Sequence, residues 1–169
     1  EFRRVLFRSR GLVRFITFEP NPRTAAAADA NGDVNFPVGL WSSKCRKTLH
    51  LTTHPDSSSV CNLNFELLED FQAKAGVELA GATEIELDTL DNCLAPSPDL
   101  APDFLKVDVE GGDLEVLKGA TDALSRSVLG IRTEAPLVEI HKGAPQLWDI
   151  YAFLRLRGFV LFQIGRAHV

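Results

Sequence analysis

The sequence predicts an α/β domain, in which a sheet packs against helices. Two observations carry that prediction: apolar runs typical of buried strands alternate with segments of helical periodicity, and no repeat or low-complexity tract interrupts the alternation. The composition agrees, because a chain of 169 residues that is 45% hydrophobic and 24% charged is ordinary for one globular domain.

In the first half of the chain, the clearest strand signal is the apolar run LVRFITF (12–18), which the turn sequence EPNP ends. Pro37 must lie at an end or an irregular point of the second strand. Further strands are predicted at 33–40, 47–53 and 84–87. Helices are predicted where alanine dominates before Asn31-Gly32, and where apolar residues recur at helical spacing, that is at 24–30 and 65–75.

The second half of the chain continues the alternation. A capped turn is predicted at 88–94, and residues 104–109 have the period of two that is typical of a strand. A helix follows from about residue 113, and Gly119 is expected to divide it. The remaining predictions are a strand, an amphipathic helix and a closing apolar strand, at 128–133, 147–157 and 159–163.

Both ends of the chain differ from the rest. EFRRVLFRS (1–9) and IGRAHV (164–169) resemble translated sequencing-adapter sequence, and arginines crowd the first of them although the chain as a whole is acidic. We therefore expect residues 10–163 to be the native part, a fragment that is open at both ends. The alternative, a basic arm that binds nucleic acid, fits the adjoining acidic domain less well.

Composition excludes several classes of function. The formal net charge of −5 argues against a surface that binds the phosphate backbone, so no nucleic-acid partner is predicted. No apolar run approaches the roughly 18–20 residues that cross a bilayer, so no membrane segment is predicted. Cys45, Cys61 and Cys93 lack CxxC spacing and a neighbouring histidine pattern, which predicts no metal site. Their odd number is typical of a reducing compartment such as the cytoplasm, but it leaves localisation open.

The stretch FLKVDVEGGDLEVLKG (104–119) carries the strongest candidate site. Its alternation places Lys106, Asp108 and Glu110 on one face of a strand, and unpaired charges are costly to bury. These residues must therefore pair with one another, meet water in a cleft, or touch a ligand. The glycine pair that follows permits the close approach of a ligand at the carboxyl end of the strand. Periodicity alone leaves a structural salt bridge and a functional site both open.

A second polar cluster follows the first predicted strand. Glu19 lies in FEPNP, directly after an apolar run, where a carboxylate can accept both hydrogen bonds of a ribose diol. Pro20 and Pro22 restrict the turn that would orient this side chain. A solvated turn residue explains the same pattern equally well.

Together these segments resemble the FkbM-type family of S-adenosylmethionine-dependent methyltransferases. The similarity covers most of residues 12–163, and the segment DFLKVDVEGGDLEVLKGA (103–120) is its most specific part. Four further segments support it by their order and spacing: FITFEPNP (15–22), ELDTLDNCL (86–94), IRTEAPLVEI (131–140) and LRLRGFVLFQ (154–163).

The resemblance implies a Rossmann-like class I methyltransferase sheet with helices on both faces, and S-adenosyl-L-methionine as the cofactor. It implies that Glu19 binds the ribose of the cofactor and that Asn21 shapes the same turn. It also implies that Gly39 and Leu40 lie against the adenine. The implied reaction is O-methyl transfer to a hydroxyl group of a sugar, a glycan or another small metabolite.

The resemblance also assigns the catalytic end of the cleft. Asp108 would lie where the methyl group is transferred, with Lys106 and Glu110 beside it, and it is the first candidate for the base that takes the hydroxyl proton. His141, in the loop after a late strand, is a second candidate base. Glu134 follows the predicted strand 128–133 and could face the same cleft, although a solvated or capping role explains it as well.

The chain departs from the family pattern at its beginning. The family's first strand and its glycine-rich loop, D-x-G-A-N-x-G, should precede residue 12, and the sequence contains no such loop. We therefore expect a truncated domain that is inactive by itself and binds S-adenosylmethionine poorly. Gly112 also stands where many members carry alanine. Thr89 and Asp91 match a family motif, but capping of a short helix explains them without a ligand.

The residues leave two other functions open. A Rossmann-type, nucleotide-dependent oxidoreductase would use an acid after its second strand in the same way as Glu19. The loop after the first strand would separate the two, because G-x-G-x-x-G favours a dinucleotide and D-x-G-A-N-x-G favours the methyl donor. A non-catalytic interaction domain of the same fold is the third possibility.

Overall fold

The structure is a computed structural model that describes residues 13–20, 33–70 and 77–164, and within these ranges it confirms a mixed α/β architecture. The strands are β1 Ile16–Phe18, β2 Val34–Phe36, β3 Gly39–Leu40, β4 Cys45–Thr52, β5 Leu79–Asp88, β6 Phe104–Lys106 and β7 Gly130–Arg132. The helices are α1 Phe65–Asp70, α2 Leu90–Leu94, α3 Asp113–Lys118, α4 Thr121–Arg126 and α5 Leu147–Arg155.

Two parallel pairs of short strands carry the predicted site residues at their ends. β1 pairs with β2, and the rings of Phe18 and Phe36 stack across this pair with their centroids 5.0 Å apart. β6 pairs with β7, so that Leu105 lies opposite Ile131. Parallel neighbours need a crossover connection, and α3 and α4 supply it between β6 and β7.

The longest strands form a separate sheet with the order β3–β5–β4. β4 and β5 are antiparallel, and β5 also pairs in parallel with the short β3. Cross-strand polar pairs stabilise the exposed face of this hairpin, since Arg46 forms an ion pair with Glu86 and Thr48 donates a hydrogen bond to Glu84 at 2.5 Å. β5 is longer than the segment predicted at 84–87, because pairing with β4 extends the ladder.

One core connects the two parallel pairs. Phe18 of β1 and Leu105 of β6 both pack against the same buried cluster, although the two pairs are not joined by a ladder in the described sheets. That cluster consists of Leu90, Ala120, Ala123, Leu124 and Val128. A second cluster attaches α3 and α5, and it consists of Val107, Val116, Leu117 and Ile150. Full burial of an apolar side chain of this size contributes about 1.5–3 kcal/mol.

Capping side chains confirm the capped turn predicted at 88–94, which contains α2. Thr89 is the N-cap residue, and its hydroxyl oxygen accepts the backbone N–H of Asn92 at 3.0 Å. The carboxylate of Asp91 accepts the backbone N–H groups of Asp122 and Ala123 at 2.9 and 3.0 Å, at the start of α4. Caps of this kind contribute about 1 kcal/mol each, so both residues have a structural role without a ligand.

The helix predicted after residue 113 divides at Gly119, as expected. A methyl group at Gly119 would lie only 2.0 Å from the backbone oxygen of Trp41, so glycine is required where the two helices meet that loop. The neighbouring strand β6 is shorter than the predicted 104–109. Beyond it, Val107 still donates its N–H to the carbonyl of Arg132 at 2.8 Å, and the chain then turns away.

The closing strand predicted at 159–163 is wrong. Residues 159–164 have no regular structure, and the side chains of Val160 and Phe162 are 71% and 95% exposed. Gly158 has a φ of 87°, and Phe159 donates its N–H to the carbonyl of Leu154 at 3.1 Å, so the chain folds back onto the end of α5. Among the described strands none pairs with this apolar run, and an unpaired run forms no ladder.

Some predictions lie outside what the structure describes. The helix predicted at 24–30 and the last part of the one predicted at 65–75 fall in the ranges that are not described. The described strands form three sheets, so the single Rossmann-like sheet with helices on both faces stays a prediction. In the described ranges, no helix is both long enough and apolar enough to cross a membrane.

Candidate active site

Three carboxylates converge after the parallel strands β6 and β7. Asp108 and Glu110 follow β6, Glu134 follows β7, and one oxygen of each lies within 4.8 Å of the others. We name these three residues the carboxylate cluster. The carboxyl ends of parallel neighbours open at the same edge, which is where α/β sheets bind ligands. The fold therefore joins two predicted catalytic residues to Glu134, for which the sequence had left a place in the cleft and a solvated or capping role both open.

Glu110 lies in a left-handed turn, which the strand periodicity did not predict. Its φ is 52° and that of Gly111 is 88°. For a residue with a side chain this conformation costs about 1–2 kcal/mol. The hydroxyl of Ser59 donates a hydrogen bond to the carbonyl of Glu110 at 2.5 Å and holds the turn in place. Strained residues that the surroundings hold in this way are concentrated at functional sites.

His141, the second candidate base, packs against the same turn. His141 is only 3% exposed, and a methyl group at Gly111 would lie 2.9 Å from the Cγ and Nδ1 atoms of its ring. Burial lowers the pKa of His141, which favours the neutral imidazole. Its Nε2 has no hydrogen-bond partner within the described part of the chain. The contacts of His141 are therefore those of a packing residue beneath the turn.

Asp113 is a site residue that no sequence pattern predicted. It lies in the first turn of α3 and is only 2% exposed. Its Oδ1 accepts the hydroxyl of Thr133 at 2.9 Å and the backbone N–H of Glu134 at 3.2 Å. Desolvation raises the pKa of Asp113 to about 6, although these two hydrogen bonds act to lower it. Asp113 thus ties the start of α3 to the segment that carries Glu134.

Glu110 has the electrostatic environment of a group that exchanges protons near neutral pH. Burial is the main cause that raises its pKa to about 7, and the charges of Glu134, Asp108 and Asp113 act in the same direction. At such a pKa both protonation states are populated at neutral pH. That is the property a general base or acid requires.

Lys106 and Asp108 form an ion pair on the exposed face of the strand. Their side chains are 59% and 40% exposed, while Val107 between them is buried, so the predicted alternation is confirmed here. Ion pairs this exposed contribute about 0–1 kcal/mol. Asp108 therefore belongs both to a salt bridge and to the carboxylate cluster, the two alternatives that its periodicity left open.

Two of the residues expected to bind the cofactor lie in neighbouring segments. Glu19 follows β1, and its backbone N–H donates to the carbonyl of Phe36 at 3.0 Å. Gly39 begins β3 and is buried, and a methyl group there would lie 2.4 Å from Cδ2 of Leu87 and 3.5 Å from Cγ of Pro20. Leu87 therefore fills the side of Gly39 from which a side chain would project, and binding of the cofactor by Glu19 and Gly39 stays a prediction.

Leu40 and Asn21 are the other two residues expected to bind the cofactor. The side chain of Leu40 packs against both core clusters, so it is a core residue. Asn21 lies outside the described residues. Trp41, which no pattern singled out, covers the turn instead: a methyl group at Gly112 would lie 2.5 Å from its Cζ3 atom. Tryptophan directly after β3 and glycine in place of the family's alanine are the sequence signals that could have revealed this contact.

The carboxylate cluster also has the donor type that hard divalent cations prefer, since magnesium and calcium bind carboxylate oxygens. The sequence predicted no metal from the spacing of cysteine and histidine, and that reasoning does not address three acids brought together by the fold. Exposed acidic groups at such distances are common without an ion. The cluster by itself therefore does not define a metal site.

An α/β domain with a strained turn and converging carboxylates at parallel strand ends belongs to the class that binds a ligand at that edge. Comparison with protein families is more specific, because the family described as Methyltransferase FkbM domain matches residues 2–161. The chain belongs to the FkbM methyltransferase family, which confirms the resemblance read from the motifs. No curated protein and no solved structure matches the chain. The adapter boundaries at residues 10 and 163 stay predictions.

Proposed function

We propose that the domain is an S-adenosylmethionine-dependent O-methyltransferase that acts on a hydroxyl group of a sugar or another small metabolite. The observation that carries the proposal is Glu110, a partly buried carboxyl group with a pKa of about 7 that lies beside Asp108 and Glu134. Membership of the FkbM family supports methyl transfer in general. A base beside the site supports a hydroxyl group as the acceptor, because a hydroxyl must lose its proton when its oxygen takes up a methyl group.

The turns after β1 and before β3 fit the proposed cofactor. S-adenosylmethionine, when bound, supplies a methyl group on a positively charged sulfur. Glu19 would accept hydrogen bonds from its ribose, and the backbone at the start of β3 would lie beside the adenine. The contact between Pro20 and Gly39 supports this assignment, because it places the two segments side by side.

Glu110 is the residue we assign to the proton transfer. The acceptor hydroxyl would give its proton to the Glu110 carboxylate while its oxygen forms the new bond to the methyl carbon, and the bond from that carbon to the sulfur of the donor would break with its electron pair left on sulfur. Asp108 was the first candidate on sequence grounds, but it is more exposed and it is paired with Lys106. We therefore assign Asp108 and Lys106 to positioning. Asp113 holds the segment of Glu134, and both acids keep the pKa of Glu110 raised.

We also infer that the pairs β1–β2 and β6–β7 are two parts of one Rossmann-like sheet. Both pairs are parallel, and both pack against the same buried cluster. The family's first strand and glycine-rich loop would complete this sheet and the cofactor site. Because the sequence contains no D-x-G-A-N-x-G loop, we expect the chain alone to bind the cofactor weakly and to transfer no methyl group.

Calorimetry on a version that carries the glycine-rich loop tests the proposal. We expect S-adenosylmethionine to bind and NAD⁺ not to bind. Glu19→Ala should weaken binding about 10–100-fold, because two hydrogen bonds to a charged group are lost. Glu84→Ala, on the exposed face of the β4–β5 hairpin, is the control and should leave the affinity unchanged.

Three results would contradict parts of this proposal. Binding of NAD⁺ in place of S-adenosylmethionine would favour the oxidoreductase. Binding of S-adenosylmethionine without transfer of a labelled methyl group to any hydroxyl acceptor would favour a non-catalytic domain. Tight binding by the chain without the loop would show that the loop is not required.

A further inference from the structure

Two adjoining cavities lie beside the turn that carries Glu110. The hairpin cavity, of about 320 Å³, lies against β4 and β5 and is lined in part by Thr52, Ser57 and Phe65. The turn cavity, of about 260 Å³, lies against Trp41 and Gly111. Cys61, Asn62 and Lys142 line both cavities. The shared residues place the two cavities side by side, and we name the pair the hairpin–turn groove.

The lining of the groove suits a neutral molecule with both polar and apolar surfaces. Thr52, Ser57 and Asn62 carry groups that donate and accept hydrogen bonds, and Lys142 adds a donor. Phe65 and Trp41 supply aromatic surface at the two ends. A sugar ring has the matching features, since its hydroxyl groups form a polar rim around faces of C–H bonds.

The floor of the groove contacts the backbone of the turn that carries the candidate base. Ser59, which is only 3% exposed, lines the hairpin cavity. Its hydroxyl donates to the carbonyl of Glu110 at 2.5 Å, and the same oxygen accepts the N–H of Cys61 at 2.8 Å. At the other end, Gly111 of the turn cavity follows Glu110 directly in the chain. A molecule in the groove would thus lie within reach of the Glu110 turn.

Charges of both signs flank the groove, so neither sign alone favours an ionic occupant: the ammonium of Lys47 lies over the ring of Trp41 at 4.9 Å, and Lys142 lines both cavities. The carboxylate cluster lies next to Gly111 and repels an anion from this end. Glu115 of the turn cavity is already engaged, since it accepts hydrogen bonds from Ser42 and Lys118 at 2.5 and 2.6 Å. The ion pair of Lys142 with Glu66 is long, at 3.9 Å, and exposed, so the ammonium group can turn toward a ligand.

We propose that the hairpin–turn groove binds the methyl acceptor, and that this acceptor is a neutral, polyhydroxylated molecule such as a hexose. The assignment rests on the proposed methyl transfer, because it gives the groove to the acceptor of that reaction. One hydroxyl would lie at the Glu110 turn, while the rest of the ring would contact Trp41, Asn62 and Lys142. The volumes are at the lower end of the range for small-molecule sites, which suits a single ring.

Nuclear magnetic resonance on the 169-residue chain tests the groove without the cofactor. The probes are methyl β-D-glucopyranoside, methyl α-L-rhamnopyranoside and sodium glucuronate, each titrated into ¹⁵N-labelled protein. We expect both neutral glycosides to shift the indole N–H of Trp41, the side-chain amide of Asn62 and the backbone N–H of Gly111 in a saturable way. Glucuronate should bind at least about 5-fold more weakly, because of the nearby acids.

Matched variants separate the groove from the rest of the surface. Lys142→Ala and Asn62→Ala should each weaken glycoside binding about 5-fold or more, since each removes a hydrogen-bonding group. Lys44→Ala removes another exposed lysine, on the loop before β4, where it pairs with Asp88, and should leave binding unchanged. Unchanged amide spectra away from the substituted residue show that the variants are folded.

Each outcome decides a different claim. No saturable shift with either glycoside, or shifts that Lys142→Ala and Asn62→Ala leave intact, would overturn the groove as a site for neutral sugars. Stronger binding of glucuronate would overturn the charge argument and with it the neutral acceptor. Glycoside binding together with failed S-adenosylmethionine binding by the loop-bearing version would retain the groove and overturn the proposed methyl transfer.

Discussion

Asp108 and Glu110 both follow β6, and they have opposite environments although only Val109 lies between them. Asp108 faces solvent beside Lys106, and the two charges offset each other. Glu110 is partly buried in a left-handed turn, and the charges that raise its pKa are those of Asp113, Glu134 and other acids. The alternation in the sequence treats Asp108 and Glu110 as equivalent positions.

Burial, and not residue type or spacing along the chain, is the main cause that raises the pKa of Glu110. A carboxylate that keeps water and a counter-ion is stabilised as the anion, while one that loses water and gains acidic neighbours is stabilised as the neutral acid. The left-handed turn contributes to this difference. It interrupts the in-and-out alternation of the strand at Glu110, whose side chain lies beside Glu134 after β7.

The largest expected effect is on turnover. In a version that carries the glycine-rich loop, Glu110→Gln should lower the rate of labelled methyl transfer about 10²–10⁴-fold, because the amide cannot accept the proton. Asp108→Asn is the matched change on the exposed side, and it should cost about 10-fold or less. If Asp108→Asn costs more than Glu110→Gln, the base is Asp108 and the comparison is reversed.

The next effect is on the turn itself. Gly111→Ala should lower the free energy of unfolding by about 3 kcal/mol, since the new methyl group would meet the ring of His141 at 2.9 Å in a left-handed conformation. Gly143→Ala is the control: its φ is 72° but nothing lies within 4 Å, so it should cost only about 1 kcal/mol. Urea denaturation measures both. Equal losses would show that the contact with His141 does not support the turn.

The pH dependence of stability sharpens the comparison further. The pKa values of Glu110 and Asp113 are raised to about 7 and about 6, from ordinary values of 4.5 and 3.8. The folded protein therefore holds protons that the unfolded chain has released, so the free energy of unfolding should fall as pH rises from about 4 to about 7. Urea denaturation across this range measures the slope, and Glu110→Gln combined with Asp113→Asn should flatten it.

Asp88 provides the control of opposite sign. Hydrogen bonds from Asn92 and Thr89 and the nearby charge of Lys44 lower its pKa, so its contribution to stability is present above the unfolded value and is lost as pH falls through the folded one. Asp88→Asn should therefore leave the slope between about pH 4.5 and 7 unchanged. A slope that Asp88→Asn removes, or that the double variant retains, would assign the effect to other groups.

The smallest effect on stability is expected for the exposed ion pair between Lys106 and Asp108. Lys106→Ala should change the free energy of unfolding by about 0–1 kcal/mol, because both partners of its ion pair are largely solvated. Lys118→Ala, which breaks the exposed pair with Glu115, should cost a similar amount. Urea denaturation at low and high salt measures both. A loss of about 2 kcal/mol or more for Lys106→Ala alone would mean that this pair holds the strand end together.

Sequence patterns predicted the local structure well where the signal is local. The cap at Thr89, the division of the helix at Gly119 and the burial of Val107 between two charges all depend on residues a few positions apart. The apolar run 159–163 was wrong for the complementary reason, since a strand needs a partner and its own composition cannot supply one. Asp113 was missed because its partners on the β7 side lie 20 and 21 residues away.

The sequence by itself determined the α/β class, the family, and the positions of the acids that follow the strands. These follow from periodicity and from motifs, which a chain carries before it folds. Only the tertiary structure decided that Glu110 adopts a left-handed conformation, that Ser59 and His141 hold that turn, and that Glu134 joins the cluster. The physical reason is that a pKa depends on lost water and on charges brought close in space, and neither is encoded in the spacing of residues along the chain.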